Sequence, residues 1–329
     1  MLGALRPEAR GRICDQGPRQ LSNSYPTAEL ERIVNHRKTS CWTAAIGCAL
    51  LFVVSELPAQ QHTSYELLKV LDVAGRQGVA TDGKHYFVSG STQLYTYSKD
   101  GTLLMSNEQP FADLEKPANH LGDISAYNGE LFAGVEWFED GRGRDIQIAV
   151  YDAATLKLKR TIPWEPDSGQ VEVSAVAVDA PNGVIWMTDW VNGNYIYRYD
   201  LATGRYAGKL HLRPVPQWQQ GIAAVRGSLY ITADDGDADQ KEVDNVWRLG
   251  ADAKATAAYV THELALSGLR DVGEVEGIAF DADAGEMLVL ANRGKRIVLG
   301  MPKGLYPGYD RELHEIYVFK VNATAQVPD

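Results

Sequence analysis

Cysteine is scarce in this chain, and its three copies, Cys14, Cys41 and Cys48, all lie near the N-terminus. The rest of the sequence therefore has no disulfide and no thiol nucleophile. Three catalytic signatures are missing as well: the Gly-x-Ser-x-Gly elbow, the His-Glu-x-x-His zinc motif and the glycine-rich phosphate loop. Their absence excludes the classes of hydrolase, metallopeptidase and nucleotide-binding enzyme that those motifs define.

Positive charge is in deficit. The 32 Lys and Arg residues face 43 Asp and Glu residues, which leaves a formal net charge of −11. Binding to nucleic acid or to an anionic membrane requires a basic face, so we expect neither kind of partner. Small molecules and other proteins remain as ligands, and we expect the protein to be a monomer.

Long hydrophobic runs are absent too. The N-terminal region holds one apolar run of 13 residues, Trp42–Val54, which is too short for a comfortable transmembrane helix. His36, Arg37 and Lys38 precede this run, and the segment Ser55-Glu-Leu-Pro-Ala59, which ends in a small residue, follows it. Such a pattern predicts a signal peptide that ends near Ala59, so that the protein is secreted or periplasmic and free of the membrane once the signal is removed. The predicted division is an N-terminal extension and signal peptide over 1–59 and one domain over 60–329.

No segment after residue 62 shows a convincing helical period, whereas one β-rich unit recurs five times. Each unit begins with a polar residue and a short apolar run, and a turn and further short runs follow. Equivalent positions of the units, 77, 122, 174, 220 and 276, are spaced 45, 52, 46 and 56 apart. This periodicity predicts an all-β chain that folds as a single β-propeller.

Five blades of about 50 residues account for the repeats. The fifth unit lacks an outer strand, while the segment 65–73 is a spare strand ahead of the first unit. We therefore expect the N-terminal strand to pair onto the last blade and close the ring. A six-bladed ring is the alternative, if residues 296–320 contain a further partial blade.

Polar residues begin the inner strands and end the second strands, and both positions meet at one mouth of the channel. The starts are Gln77, Asp123, Ser174, Gln220 and Glu276, and the ends are Ser89, Glu136, Asp189, Asp234, Asn292 and Arg293. Clustered carboxylates repel unless a cation or a proton compensates them, which predicts a site for Ca²⁺ or another divalent cation. The alternative is that these strand ends are polar simply because they are solvated.

His120 and Glu172 lie just upstream of two of these starts. His120 is the best candidate for a general base, with Asp123 beside it as its catalytic partner. Three long loops, 137–144, 234–244 and 301–310, are expected at the same mouth, and Trp190 and Trp218 could line it. The predicted ligand-binding residues are Gln77, Glu136, Gln220, Arg293 and Tyr306.

The motifs Gln77-Gly-Val-Ala, Gln220-Gly-Ile-Ala and Glu276-Gly-Ile-Ala, with Leu229-Tyr-Ile-Thr between them, resemble secreted bacterial β-propellers of the YVTN, NHL and gluconolactonase-like kinds. In gluconolactonase-like enzymes a divalent cation sits in the channel mouth on a Glu, Asn and Asp set. The resemblance implies that Asp189, Asp234, Glu276 and Asn292 are the metal ligands here.

Two functions follow from these observations. One is a divalent-metal-dependent hydrolase of the lactonase or esterase kind, which acts on a small molecule at the mouth. The other is a non-enzymatic propeller that uses the same mouth to bind a ligand or a protein. Propellers host both functions, so the fold alone does not choose between them.

Overall fold

The computed structural model describes residues 61–269 and 273–325, and the predicted signal segment 1–59 lies outside these ranges. The described chain is all-β, with three 3₁₀ turns and no α-helix. Its first strand, β1, spans Gln61–Val73. Within these ranges no helix has the length and apolar character needed to span a membrane.

Five antiparallel sheets follow one another around the ring, which confirms the predicted five-bladed propeller. Blade 1 contains β2 (Gly78–Thr81), β3 (His85–Ser89), β4 (Leu94–Ser98) and β5 (Leu103–Asn107). Blade 2 contains β6 (His120–Tyr127), β7 (Glu130–Glu139), β8 (Arg142–Asp152) and β9 (Leu158–Pro163). Blade 3 contains β10 (Val176–Asp179), β11 (Val184–Met187), β12 (Tyr195–Asp200) and β13 (Tyr206–Arg213).

The last two blades include insertions. Blade 4 contains β14 (Gln219–Val225), β15 (Ser228–Ala233), β16 (Asn245–Gly250) and β18 (Thr261–Ala265), while β17 (Ala257–Tyr259) pairs in parallel with β13 of blade 3. Blade 5 contains β19 (Gly273–Asp281), β20 (Glu286–Arg293) and β23 (Leu313–Ala325). A separate hairpin, β21 (Lys295–Val298) and β22 (Met301–Leu305), lies between β20 and β23.

One hydrophobic core fills the space between each pair of neighbouring blades, so the molecule has five cores. Strand β11 shows the consequence for sequence. All four of its residues are buried, and Trp186 is 0% exposed, because blades 2 and 4 cover the two faces of this strand. The inner strands are therefore short continuous apolar runs, a pattern typical of sheets covered on both faces.

The ring closes as the sequence predicts. Strand β1 pairs antiparallel with β23, with Tyr65 opposite Val321 and Leu71 opposite Ile316, and it supplies the outer strand of blade 5. Blades 5 and 1 share a core that includes Val79, which is 0% exposed. Residues 296–320 contain the hairpin and the third strand of blade 5 rather than a sixth blade.

Asp123 lies where the inner strands meet, and it is 0% exposed. Its Oδ1 accepts the backbone N–H groups of Val79 and Ile124, both at 2.9 Å. Its Oδ2 accepts those of Ile222 and Ile278, at 3.3 and 3.2 Å. One carboxylate thus holds blades 1, 2, 4 and 5, and the Asp123 N–H donates to Ser174 O of blade 3.

Glycine follows the lead residue of three units because the inner strands crowd around this carboxylate. A Cβ on Gly277 would overlap Asp123 Oδ1, and a Cβ on Gly221 would lie 2.9 Å from Asp123 Oδ2 and 2.8 Å from the Gly277 Cα. Gly78 is equally close to Asp123. The repeated polar-Gly motif is therefore a packing requirement at the ring axis.

Candidate functional site

A pocket of about 150 Å³ opens at the mouth where the inner strands begin. Every blade contributes to it, so it lies on the ring axis. The lining residues are Gln77, His120, Phe138, Glu172, Ser174, Trp190, Gln220 and Glu274. Gln77, Ser174 and Gln220 were predicted at this mouth as starts of their units, His120 and Glu172 as residues just upstream of starts, and Trp190 as an aromatic that could line it.

A His/Glu/Glu group forms the blade 2 and blade 3 side of this pocket. His120 begins β6, and Glu136 lies opposite it on the neighbouring strand β7. Glu172 precedes β10. One ligand atom from each of the three residues lies within 4.8 Å of the other two. Glu136 is 0% exposed and Glu172 is 2% exposed. Among the described residues, these three are the group with the donor types and spacing to hold a metal ion.

Gln77 determines how the His120 ring is presented. The Gln77 Nε2 lies 3.5 Å from Glu276 Oε1, so its Oε1 faces His120 Nε2, at 2.7 Å. In this arrangement the oxygen accepts a hydrogen bond from the Nε2–H group, and the Nδ1 lone pair lies on the side of Glu136, whose Oε1 is 3.3 Å away. A ligating histidine is commonly oriented by such a second hydrogen bond.

Backbone groups hold the two glutamates in place. Val173 N donates to Glu136 Oε2 at 3.0 Å, and Trp190 N donates to Glu172 Oε2 at 2.5 Å. Burial raises the pKa of Glu136, and burial together with the neighbouring Glu136 carboxylate raises the pKa of Glu172 well above its usual value. Two adjacent buried acids whose basic neighbour is a single histidine retain a proton or take a cation.

A second acidic group lies on the blade 4 and blade 5 side. Arg76 Nη2 contacts Glu274, Glu276 and Glu312 at 2.9, 3.5 and 3.2 Å. Gln220 Nε2 donates to Glu274 Oε1 at 2.9 Å. This group differs from the first because a guanidinium already compensates part of its negative charge.

The four residues predicted as metal ligands by resemblance divide between these two groups. Asp189 lies near the first, but its two oxygens accept the backbone N–H groups of Val171 and Asn192. Asn292 Nδ2 donates to Glu276 Oε1 at 2.5 Å, and Asn292 Oδ1 contacts His314 Nδ1 at 2.8 Å. Most donor atoms of the predicted set therefore already have protein partners. Its role in binding a metal stays a prediction.

Asp234 has one carboxylate oxygen that could still bind a metal ion. The residue is 1% exposed, and its Oδ2 has no hydrogen-bond partner among the described residues. Its carboxyl group lies against that of Asp244. Asp244 in turn accepts the N–H groups of Gly236 and Val275, both at 3.1 Å.

The remaining predicted residues lie at different distances from the pocket. Asp123 is enclosed on the axis, so its contacts are those of a structural carboxylate, and its catalytic role stays a prediction. Arg293 pairs with Glu315 at 2.5 Å, and Tyr306 N donates to Gly294 O at 2.8 Å. Neither residue lines the pocket. Ligand binding by these two residues also stays a prediction.

Trp190 lines the pocket, and Trp218 lies beside it under the β21–β22 hairpin. A Cβ on Gly300, at the tip of that hairpin, would lie 2.9 Å from each indole. The sequence did not indicate Phe138 or Glu274 as lining residues. Phe138 falls within 137–144, which was predicted to be a long loop. This prediction is wrong, because Trp137 pairs with Arg144 and Phe138 with Gly143 where β7 and β8 extend to a tight turn. The alternation Glu274, Glu276 was the available signal for a second acid at the mouth.

The Asp234–Asp244 pair predicts that metal-free protein is less stable at high pH. Burial raises the pKa of Asp244 to about 7, and burial with Asp244 raises that of Asp234 well above its usual value. Glu274, Glu276 and Asp235 add negative charge nearby, while Arg76 is bound to the first two. An acid whose pKa is higher in the folded state loses stabilising protonation as the pH rises from about 4 to about 7.

We expect the free energy of unfolding to fall by on the order of 2 kcal/mol between pH 5 and pH 8 in urea titrations with EDTA. The substitution Asp234→Asn supplies an N–H in place of the shared proton and should reduce that fall. Asp113→Asn, at an exposed position, is the matched control. A stability that rises from pH 5 to pH 8 would show that these acids are ionised in the fold.

The chain was compared with protein families, curated proteins and solved structures. No family model matches the sequence, and no curated protein matches it. Among solved structures, the chain is similar to BamB from Moraxella catarrhalis, with a TM-score of 0.35 and 9% sequence identity. The match covers 75% of this chain and 59% of BamB. The class that the fold and site define is a five-bladed β-propeller with a His/Glu/Glu group in its mouth.

Proposed function

We propose that this chain is a divalent-metal-dependent hydrolase that acts on a small ester or lactone at the propeller mouth. The observation that carries the proposal is the convergence of His120 and Glu172, which line the axial pocket, with the fully buried Glu136 beside them. No Lys or Arg within the described ranges forms an ion pair with either glutamate. A cation would therefore relieve the repulsion between two buried acids.

The donor set favours zinc or a transition metal such as Mn²⁺ over Ca²⁺. Imidazole nitrogen suits those metals, whereas Ca²⁺ takes oxygen ligands. The nitrogen of His120 is therefore an argument against the predicted Ca²⁺ and for another divalent cation. When bound, such an ion supplies Lewis-acid polarisation of a carbonyl group and lowers the pKa of a water molecule.

The surrounding residues prepare the site and receive the substrate. Gln77 keeps Nδ1 of His120 turned toward the glutamates, and the N–H groups of Val173 and Trp190 fix the two carboxylates. Ser174 and Gln220 present polar atoms to the pocket, while Phe138 and Trp190 provide its apolar wall. A pocket of about 150 Å³ admits a small substrate.

The decisive experiment measures Mn²⁺ and Zn²⁺ binding by isothermal titration calorimetry. We expect Glu172→Gln to weaken binding of either metal at least 100-fold, because it removes one of three ligands, a loss of roughly 2.7 kcal/mol. We expect EDTA to abolish hydrolysis of γ-butyrolactone or phenyl acetate by the wild-type protein. Asp234→Asn is the control, since Asp234 belongs to the set implied by resemblance but not to the His/Glu/Glu group.

Three outcomes separate the alternatives. If Asp234→Asn loses metal binding and Glu172→Gln retains it, the metal site is the one formed by the four residues that the resemblance implies. Metal binding without hydrolysis of any ester or lactone would favour the non-enzymatic binding module. An absence of metal binding would reject the proposal.

We also propose that the protein is exported through a signal peptide that ends near Ala59. N-terminal sequencing of the exported protein tests this cleavage site.

A further inference from the structure

The axial pocket has two sides with different chemistry. His120 and Glu172, from blades 2 and 3, form the side that the proposed hydrolysis uses. Glu274 and Gln220, from blades 5 and 4, line another part of the pocket. Blade 5 lies across a five-membered ring from blades 2 and 3, so a substrate that reaches the first side also meets the second.

Negative charge dominates this second side. Glu274 is the carboxyl group with which this side lines the pocket, and the lining residues include neither lysine nor arginine. Arg76 is shared by Glu274, Glu276 and Glu312, and Lys295 lies 3.6 Å from Glu312. Two positive charges therefore serve three carboxyl groups, with Asp234 and Asp244 close by. An anionic group would be repelled here, whereas a cationic group would be attracted.

An aromatic wall on the blade 2 and blade 3 side lines the same pocket as Glu274. Phe138 and Trp190 meet edge to face, with ring centroids 6.5 Å apart and an interplanar angle of 82°, and both line the pocket. His120 stacks beside Phe138 at 5.7 Å. Aromatic faces attract organic cations through the ring quadrupole, most strongly where water is excluded. A carboxylate and an aromatic wall together are the features that bind ammonium groups.

We infer that Glu274 and the Phe138–Trp190 wall bind an organic ammonium group, so that the preferred substrate is a small ester or lactone carrying a positively charged amine. The substrate class rests on the proposed hydrolytic function, whereas ammonium binding itself does not. A second metal ion is a weaker assignment for this side, because Glu274 does not join any metal-ligand group of suitable spacing among the described residues. Glu274 acts as a specificity-determining residue.

Choline and 3,3-dimethyl-1-butanol are a matched pair of probes, since they share shape and differ in charge. We expect calorimetry on the full chain, freed of metal with EDTA, to show at least tenfold tighter binding of choline, which corresponds to about 1.4 kcal/mol. We expect Glu274→Gln to reduce choline affinity about tenfold and to leave the affinity for the alcohol unchanged. Glu108→Gln, an exposed glutamate outside the pocket, should bind both probes like the wild type.

Equal affinity for the two probes, tighter binding of 4-hydroxybutyrate than of choline, or unchanged choline affinity in folded Glu274→Gln would overturn the inference. The wild-type comparison decides the question even if the variant does not fold. Hydrolysis separates this failure from failure of the proposed function. With Mn²⁺ present, acetylcholine should be cleaved faster than 3,3-dimethylbutyl acetate. Equal cleavage rejects the ammonium site alone, while choline binding without cleavage of either ester rejects the hydrolase alone.

Discussion

Replacement of Asp123 by alanine is expected to lower the free energy of unfolding by about 3–5 kcal/mol, the range for removing one member of a buried charged network. The carboxylate accepts four backbone N–H groups from four blades, and it is fully buried. Each N–H group left without an acceptor costs about 1–3 kcal/mol, although relaxation recovers part of the total. Burial raises the pKa of this carboxyl group, and the four donors oppose that rise.

Asp123→Asn tests the same role without a change in volume. One amide NH₂ would face two N–H donors, so we expect a loss close to that of the alanine variant. Urea unfolding monitored by tryptophan fluorescence measures both losses. Asp113→Asn should stay within about 0.5 kcal/mol of the wild type, as surface substitutions usually do. A loss below 1 kcal/mol for both Asp123 variants would show that water or strand movement replaces the carboxylate.

Removal of strand β1 is expected to prevent stable folding. Its twelve registered pairs with β23 supply the outer strand of blade 5, and Leu71 and Val73 pack against the core between blades 5 and 1. Without β1, strand β23 becomes an exposed edge, and edges of this kind promote aggregation. We therefore expect a chain that starts at residue 74 to be insoluble or to lack a cooperative thermal transition.

A chain that starts at residue 60 is the control, since it keeps β1 and begins after the predicted cleavage site. We expect its Tm to equal that of the full chain, which would also support the predicted boundary between 1–59 and 60–329. A synthetic peptide of residues 61–73 should restore a thermal transition to the shorter chain. A cooperative transition at the same Tm without β1 would contradict closure by that strand.

The architecture could be predicted because every blade of a propeller has the same arrangement of buried strands and therefore the same sequence pattern. Each inner strand is covered on both faces, so each unit repeats a short apolar run between turn residues. Closure could be predicted from a count of strands: the fifth unit lacked one, and the segment 65–73 supplied it. The β21–β22 hairpin could not be anticipated, because Pro302 and four glycines in 294–308 are typical of a loop.

The site could be predicted only as a location. Gln77, His120 and Gln220 follow from the strand starts, and they do line the pocket. The orientation of other lead residues could not be inferred, because three inner strands shift register near their starts, at Leu121/Ile124, Gln219/Gly221 and Val275/Ile278. A bulge changes which face a side chain occupies. Asp123 and Gln220 are both predicted at the starts of inner strands, yet one is buried on the axis and the other lines the pocket.

The contacts of the Asp123 carboxylate also limit the size of the ring. Two oxygen atoms of one side chain reach four N–H groups only while the inner strands surround them at hydrogen-bond distance. A sixth blade would widen the ring until these N–H groups no longer reach the carboxylate. Deletion of blade 4 would remove the Ile222 donor and narrow the ring. The four contacts of Asp123, a residue of the second blade, therefore fit a ring of five blades. Duplication of a repeat lengthens a solenoid without changing contacts at distant repeats. Here it would separate the Asp123 carboxylate from the N–H donors on the other blades, while Ile124, on the same strand, would keep its contact.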